Sequence, residues 1–194
     1  MRVACLKAAA IVACLAIGVA AGGAGAAVSA EQAVIDKAGQ AYASKLKADA
    51  ETASNQAVAA REHALVTGPG SQVLGNPQGD VTVIEFFDYT CPFCKAAEPR
   101  VQQLLKDDRN VKLVVIEFPI LRPESKEVGL DVDRLRADMN APEIADAIIG
   151  NFNHARALRI TTTPTFIIGT RLVTESSATL DFAKAVAAAR ATAK

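Results

Sequence analysis

Tryptophan is absent from this 194-residue chain, and aromatic residues make up only 5% of it. A core must therefore be assembled from Val, Ile, Leu, Ala and seven Phe. Excess charge of either sign is missing as well: Lys and Arg total 21, and Asp and Glu total 21. That balance gives no sign of the basic face expected of a nucleic-acid or membrane-surface binder. Histidine occurs twice, at His63 and His154, with no partners at ligand spacing, so no metal site is expected. Cysteine occurs four times, at Cys5, Cys14, Cys91 and Cys94. Hydrophobic residues still reach 51%, enough for one globular domain with an appendage.

The first thirty residues read as an export signal. Arg2 and Lys7 form a positive start, Ala8–Ala21 an apolar stretch, and Val28-Ser29-Ala30 a small-residue cleavage site. The apolar part is short and rich in Gly and Ala for a retained membrane anchor. A lipid-attachment box around Cys14 is the other alternative, although the apolar run continues past it. Cleavage near Ala30 removes Arg2 and Lys7 but no acid, leaving 19 basic against 21 acidic residues. It also removes Cys5 and Cys14. The expected location is outside the cytoplasm, most simply the periplasm, where a disulfide can persist.

Residues 31–66 are Ala-rich, free of proline and interrupted only by Gly39, and they are expected to form a helical extension. Val34, Ala38, Tyr42, Leu46, Ala53, Ala57 and Leu65 fall loosely on one face. The extension is either packed on the domain or a self-association stalk that makes the chain a homo-oligomer. The Gly/Pro/Asn-rich stretch 67–80 reads as a linker. A compact domain is expected over 73–194. In it, 81–88 ("VTVIEFFD") and 111–118 ("VKLVVIEF") are β-branched and aromatic runs typical of strands buried on both faces.

A helix from about Pro92 to Asp107 joins them into a right-handed βαβ unit, with a kink expected at Pro99. Helices are expected over about 130–139 and 142–158. A hairpin of 164–169 and 171–174 and a helix over about 178–191 complete the chain. The fold class is α/β, ordered β-α-β, then helices, then β-β-α.

Cys91-Pro92-Phe93-Cys94 opens the first helix of that unit. A bridge across two intervening residues closes too small a loop to restrain the unfolded chain, so stability is a poor reason for the pair. Redox chemistry is a better one. The two sulfurs can reach bonding geometry, and the free amides of a helix N-terminus favour a thiolate on the first cysteine. Pro92 is tolerated at the first helical position, where its missing N–H has no helical partner anyway. Cys91 is accordingly expected to be the exposed nucleophile and Cys94 the buried resolving thiol. Phe93 offers apolar contact. No cofactor is called for. Asp88 and Lys95, flanking the motif, read as solvated charges.

Taken together, "GNPQGDVTVIEFFDYTCPFCKAAEP", "VVIEFPIL" and "TTTPTF" resemble the DsbA-like branch of the thioredoxin superfamily, exported thiol-disulfide oxidoreductases. The resemblance covers about residues 73–121 and 155–174. It implies a thioredoxin-like fold, a Cys91/Cys94 redox pair, and a cis bond at Thr163-Pro164 facing it. Thr163 would pair its backbone with an extended substrate, beside Pro164, Pro92 and Phe93. Glu85, costly to bury in an apolar strand, would assist proton transfer at Cys94. The alternative for Glu85 is an outward position on an edge strand.

Implied partners are cysteine-containing exported proteins and a redox partner that recycles the dithiol. The helical insertion, about 122–158, is shorter than the family's. A second functional class therefore stands beside the enzyme: a non-catalytic or weakly active peptide-binding or oligomerising module.

Overall fold

The structure, a computed structural model, describes residues 23–121, 141–173 and 175–192, with side chains from residue 32 onward. Residues 1–22 of the export signal expected over 1–30, and the helix expected over 130–139, lie outside the described residues. The chain divides into two compact units, Met1–Ala48 and Asp49–Lys194. Helix α1 (Gly23–Ala59) begins in the first of them. Its residues 32–48 are exposed throughout, including Val34, Ile35, Tyr42 and Leu46. Alanine content and the absence of proline account for the helix; burial of the described side chains 32–48 does not. Among the described residues no helix is long and apolar enough to cross a membrane.

The second unit is built around one five-stranded sheet. After the last turns of α1 and a short helix α2 (Glu62–Thr67) come β1 (Ser71–Gly75), β2 (Val81–Phe87), α3 (Pro92–Asp107) and β3 (Val111–Glu117). Helix α4 (Pro142–Ala157), the hairpin β4 (Thr165–Ile168) with β5 (Arg171–Leu172), and α5 (Phe182–Thr192) follow. Strand order is β1-β3-β2-β4-β5, with β2 and β3 parallel and the remaining pairs antiparallel. Among the described residues the order is β1, then the expected β-α-β, then helix α4, then the expected β-β-α.

Side-chain alternation along β2 divides the core in two. Val81 and Val83 face Ala97, Val101 and Leu104 of α3 and Phe182 and Val186 of α5. Ile84 and Phe86 face the other way, among Val58 of α1, Leu65 of α2, and Ala155 and Leu158 at the end of α4. The sheet is thus covered on both sides, which is why β2 and β3 read as continuous apolar runs.

The stretch 67–80, expected as a linker, instead contributes β1. This strand pairs antiparallel with β3 at the sheet edge, and Val73 and Leu74 stay substantially exposed. An edge strand buries too little to show an apolar pattern. The glycines that suggested a linker serve its turn: Gly75 has φ +72°, and a Cβ there would lie 2.8 Å from the Val111 carbonyl oxygen.

Helix α3 continues through Pro99 to Asp107. Pro99 and Lys95 are both exposed, so the Lys95 carbonyl that loses its helical donor is open to water. The last helix starts at Phe182, four residues later than expected. Asp181 caps it, its carboxylate accepting from the Lys184 amide at 2.9 Å.

Candidate active site

The turn from β2 into α3 carries the dithiol. Asp88 O accepts from the Cys91 amide at 3.0 Å, and Cys91 then takes the N-cap position of α3 with extended backbone (φ −73°, ψ 118°). Pro92 occupies the first helical position and Cys94 lies in the first turn. Across from them the Thr163–Pro164 peptide bond is cis. The Thr163 carbonyl oxygen is 3.3 Å from Cys91 Sγ and accepts from the thiol. Cys91, Cys94, Thr163 and Pro164 therefore converge, although 72 residues separate Cys91 from Thr163. Both cysteines are free thiols in this structure.

The two sulfurs differ in the way thiol exchange requires. Burial pushes the Cys94 thiol up to about 12, and its neighbour Cys91 adds to the rise. Burial pushes at Cys91 too, but hydrogen bonds outweigh it: the Thr163 side chain, the Cys94 amide and thiol, and the Phe93 amide together hold Cys91 below an ordinary thiol. The amides belong to the first turn of α3, so the helix start supplies part of the stabilisation.

The expectation that Cys91 is exposed is corrected: the residue is only 3% exposed. Its cover is the cis-proline loop, whose Thr163 carbonyl sits against the sulfur. Cys94 is fully buried.

Glu85 stands on β2, the central strand, paired with Val115 on one side and Phe166 on the other. The edge-strand alternative is therefore excluded. The residue shares the sheet face of Val81 and Val83, the face on which α3 packs. It is 5% exposed, and its Oε1 has no hydrogen-bond partner. Burial, reinforced by the charge of Glu98, raises its carboxyl to about 7.

Asp88 is also corrected. It is not a solvated charge but a buried residue, 3% exposed. Its Oδ1 accepts from the Thr90 amide at 2.8 Å and the Thr90 hydroxyl at 2.7 Å, and its Oδ2 from the Leu121 amide at 2.9 Å. Burial alone would raise this carboxyl, but the bonds from Leu121, Thr90 and Ile120 hold it below the usual carboxylate range. One side chain thus ties the turn before Cys91 to the segment leaving β3. The Asp-x-Thr pattern of an Asx turn was the available signal.

Arg100, two turns along α3, donates to the carbonyls of Ser177 and Leu180 and lies 5.5 Å from the Phe182 ring centroid. Nothing in the local pattern announces that role, because its partners lie 77 and 80 residues away.

A groove of about 530 Å³ runs beside the dithiol, lined by Phe93, by Arg159 to Thr165, and by Leu172, Val173 and Glu175 to Ser177. Phe93, 70% exposed, forms one of its walls. Pro92 is exposed but does not line it. His63 lies on α2, where the Thr67 hydroxyl bonds its backbone oxygen at 2.8 Å. His154 is on α4, its pKa lowered by burial and by Arg61. Among the described residues no three His, Cys, Asp or Glu converge as a metal site.

Comparison with known proteins follows the same lines. Residues 82–127 match the model of the DSBA-like thioredoxin domain. The crystal structure of a thioredoxin-like oxidoreductase from Silicibacter pomeroyi is 34% identical in sequence, covering 66% of this chain and 96% of that one, with a TM-score of 0.55. A linker-deletion mutant of Proteus mirabilis ScsC, 16% identical, covers 91% of this chain and 99% of its own, with a TM-score of 0.64. Among curated sequences, a 48-residue stretch is 42% identical to a Na(+)/H(+) antiporter of Salinispora arenicola; it covers 25% of this chain and spans only 7% of that protein's length. The Silicibacter protein, aligned over nearly its whole length, carries the assignment: this chain belongs to the DsbA-like thioredoxin-superfamily thiol-disulfide oxidoreductases.

Proposed function

We propose that the protein is an exported thiol:disulfide oxidoreductase that exchanges disulfides with cysteines of secreted or periplasmic proteins through Cys91 and Cys94. The observation that carries this reading is the convergence of Cys91 at the start of α3, buried Cys94 in its first turn and the cis Thr163–Pro164 bond, with the Thr163 carbonyl 3.3 Å from Cys91 Sγ. The low Cys91 and raised Cys94 thiols agree with it. In the oxidising direction a substrate thiolate attacks Cys91 Sγ of the Cys91–Cys94 disulfide. The substrate–Cys91 bond forms, the Cys91–Cys94 bond breaks, and Cys94 leaves as a thiolate that takes up a proton.

Glu85, buried on the α3 side of the sheet with a carboxyl raised to about 7, is suited to supplying that proton and taking one back. A second substrate thiolate then attacks the substrate sulfur, and Cys91 departs as a thiolate. The substrate gains a disulfide, and its two electrons remain on the dithiol until a disulfide-bearing partner removes them. Run backwards, with Cys91 as attacking thiolate, the same steps reduce or isomerise a substrate disulfide. Direction follows the potentials of the partners. Thr163 offers its backbone to an extended substrate by strand addition, with Pro164 and Phe93 as apolar neighbours.

Export rests on the leader up to Ala30; sequencing the N-terminus of protein recovered from the periplasm tests it. Exposed Val34, Ile35, Tyr42 and Leu46 on α1 support self-association through residues 31–66. A lower sedimentation mass for Leu46→Glu tests that.

The covered state of Cys91 favours a second reading, a peptide-binding module of little activity. Alkylation rate against pH separates the two. An enzyme labels at Cys91 well below the pH at which a free thiol does, whereas a module labels only at high pH and still binds peptide.

A further inference from the structure

Helix α4 ends in a motif whose geometry calls for a residue other than the one present. The Ile160 amide donates to the Ala155 carbonyl at 2.8 Å, and the Arg159 amide to the Arg156 carbonyl at 3.1 Å. This is the paired six-to-one and five-to-two bonding of a Schellman ending, and buried Ile160 and Ala155 belong to the same core cluster, as the motif favours. The residue at its turn is Arg159, with φ +57°. Glycine is the usual occupant, because a Cβ in the left-handed region is unfavourable. Local folding therefore asks for glycine, and the chain carries arginine.

The side chain accounts for the choice. Arg159 is exposed and lines the groove that passes Thr161, Thr162, Thr163 and Pro164 on the way to Phe93. Glu175 is the other ionised residue on that wall. Arg171 already lies 2.5 Å from its Oε1, and 3.6 Å from Glu51 on its other side. Arg159 makes no ion pair among the described residues. The groove is thus mixed in polarity, rich in threonine, and carries one uncompensated guanidinium at a short distance along the chain from the sulfur's cover.

We propose that Arg159 determines substrate specificity, selecting cysteine-bearing extended chains with a carboxylate a few residues from the reacting cysteine. The proposal rests on the exchange reading above and deepens it. A strand laid along 161–163 advances about 3.3 Å per residue, so the guanidinium reaches side chains roughly two to four positions from a cysteine opposite Thr163. Its planar fork suits a carboxylate better than an ammonium would.

The test uses two single-cysteine peptides that differ in one residue, Glu or Gln, three positions from the cysteine, in one pair before it and in another after it. Each reduces the oxidised full-length protein, and the rates are measured at low and physiological salt. Dividing the Glu/Gln rate ratio of the wild type by that of Arg159→Gly cancels the peptides' own thiol acidities. The expected quotient is about two- to fivefold in at least one pair, the range of an exposed ion pair, and smaller at higher salt. Arg159→Glu should reverse it, while Arg159→Gly should melt no lower than the wild type. A quotient of one in both pairs overturns the proposal, as does a lower melting temperature in Arg159→Gly, since the side chain would then serve the fold.

Binding of the serine analogues of the same peptides to Cys91→Ala protein reads the groove without chemistry. Should exchange fail altogether while the Glu analogue still binds more tightly in an Arg159-dependent way, the exchange reading falls and the specificity assignment stands. Equal binding of both analogues would sink the assignment alone.

Discussion

Two buried polar side chains, one on the α3 side of the sheet and one on the α4 side, are treated very differently. On the α4 side Asn151 is buried, and its amide donates to the Glu117 carbonyl at 2.9 Å. It packs so closely to the segment before β1 that a Cβ on Gly70 would lie 3.0 Å from its Nδ2. On the α3 side Glu85 is equally buried, yet one carboxylate oxygen has no partner. Asn151 stabilises a fold by satisfying a strand end. Glu85 weakens one, a cost that the proton transfer proposed above would account for. The face with the orphan is the face with the dithiol.

That contrast can be broken experimentally. The largest effect expected is from Cys91→Ser, which should abolish disulfide exchange on a reduced protein substrate while leaving the fold intact. Retained turnover would remove any chemical reason for Glu85 to be buried.

Glu85→Gln comes next, and it should separate stability from rate. Because the folded-state pKa of Glu85 is raised from 4.5 to about 7, the neutral form is favoured by folding. Its contribution is fully present below 4.5 and lost as pH rises through about 7. Glutamine should therefore stabilise the protein at pH 8 by up to about 3 kcal/mol relative to the wild type and by little at pH 4, while slowing exchange about 100-fold. Chemical denaturation at the two pH values checks the first part and stopped-flow exchange the second. A Glu85→Gln protein with unaltered exchange would make the carboxylate a liability without a role.

Asn151→Ala should show the opposite profile. Leaving the Glu117 carbonyl unpaired is expected to lower stability by about 1–3 kcal/mol at every pH, with exchange rate unchanged. The smallest effect belongs to Phe93→Ala. At 70% exposure its loss should leave the melting temperature within a degree or so and weaken binding of apolar substrate peptides a few-fold, measurable as a raised KM.

The elements legible beforehand were those with strong local patterns. Strands β2 and β3 announce themselves because both faces are buried, and α3 because Pro92 starts it and Leu104 and Val101 line its inner side. The positions of Cys91, Cys94 and the Thr163-Pro164 bond were legible through motif and resemblance. Strand β1 was not, since an edge strand of five residues with exposed Val73 and Leu74 has no apolar signature. Asp88 was misjudged because a carboxylate beside a cysteine pattern looks solvated until its three donors, one of them Leu121 on another segment, are in place. The cover on Cys91 depends on a contact across 72 residues, and no local reading of the motif contains it.

The Arg100 fork has one more implication. It grips the carbonyls of Ser177 and Leu180, and Ser177 is part of the groove wall. The helix that begins at the dithiol is thus tied by one side chain to the wall of the groove beside it. Under the exchange proposed above, that tie would couple the position of the groove wall to the position of the sulfur, so a shift in one would be felt at the other.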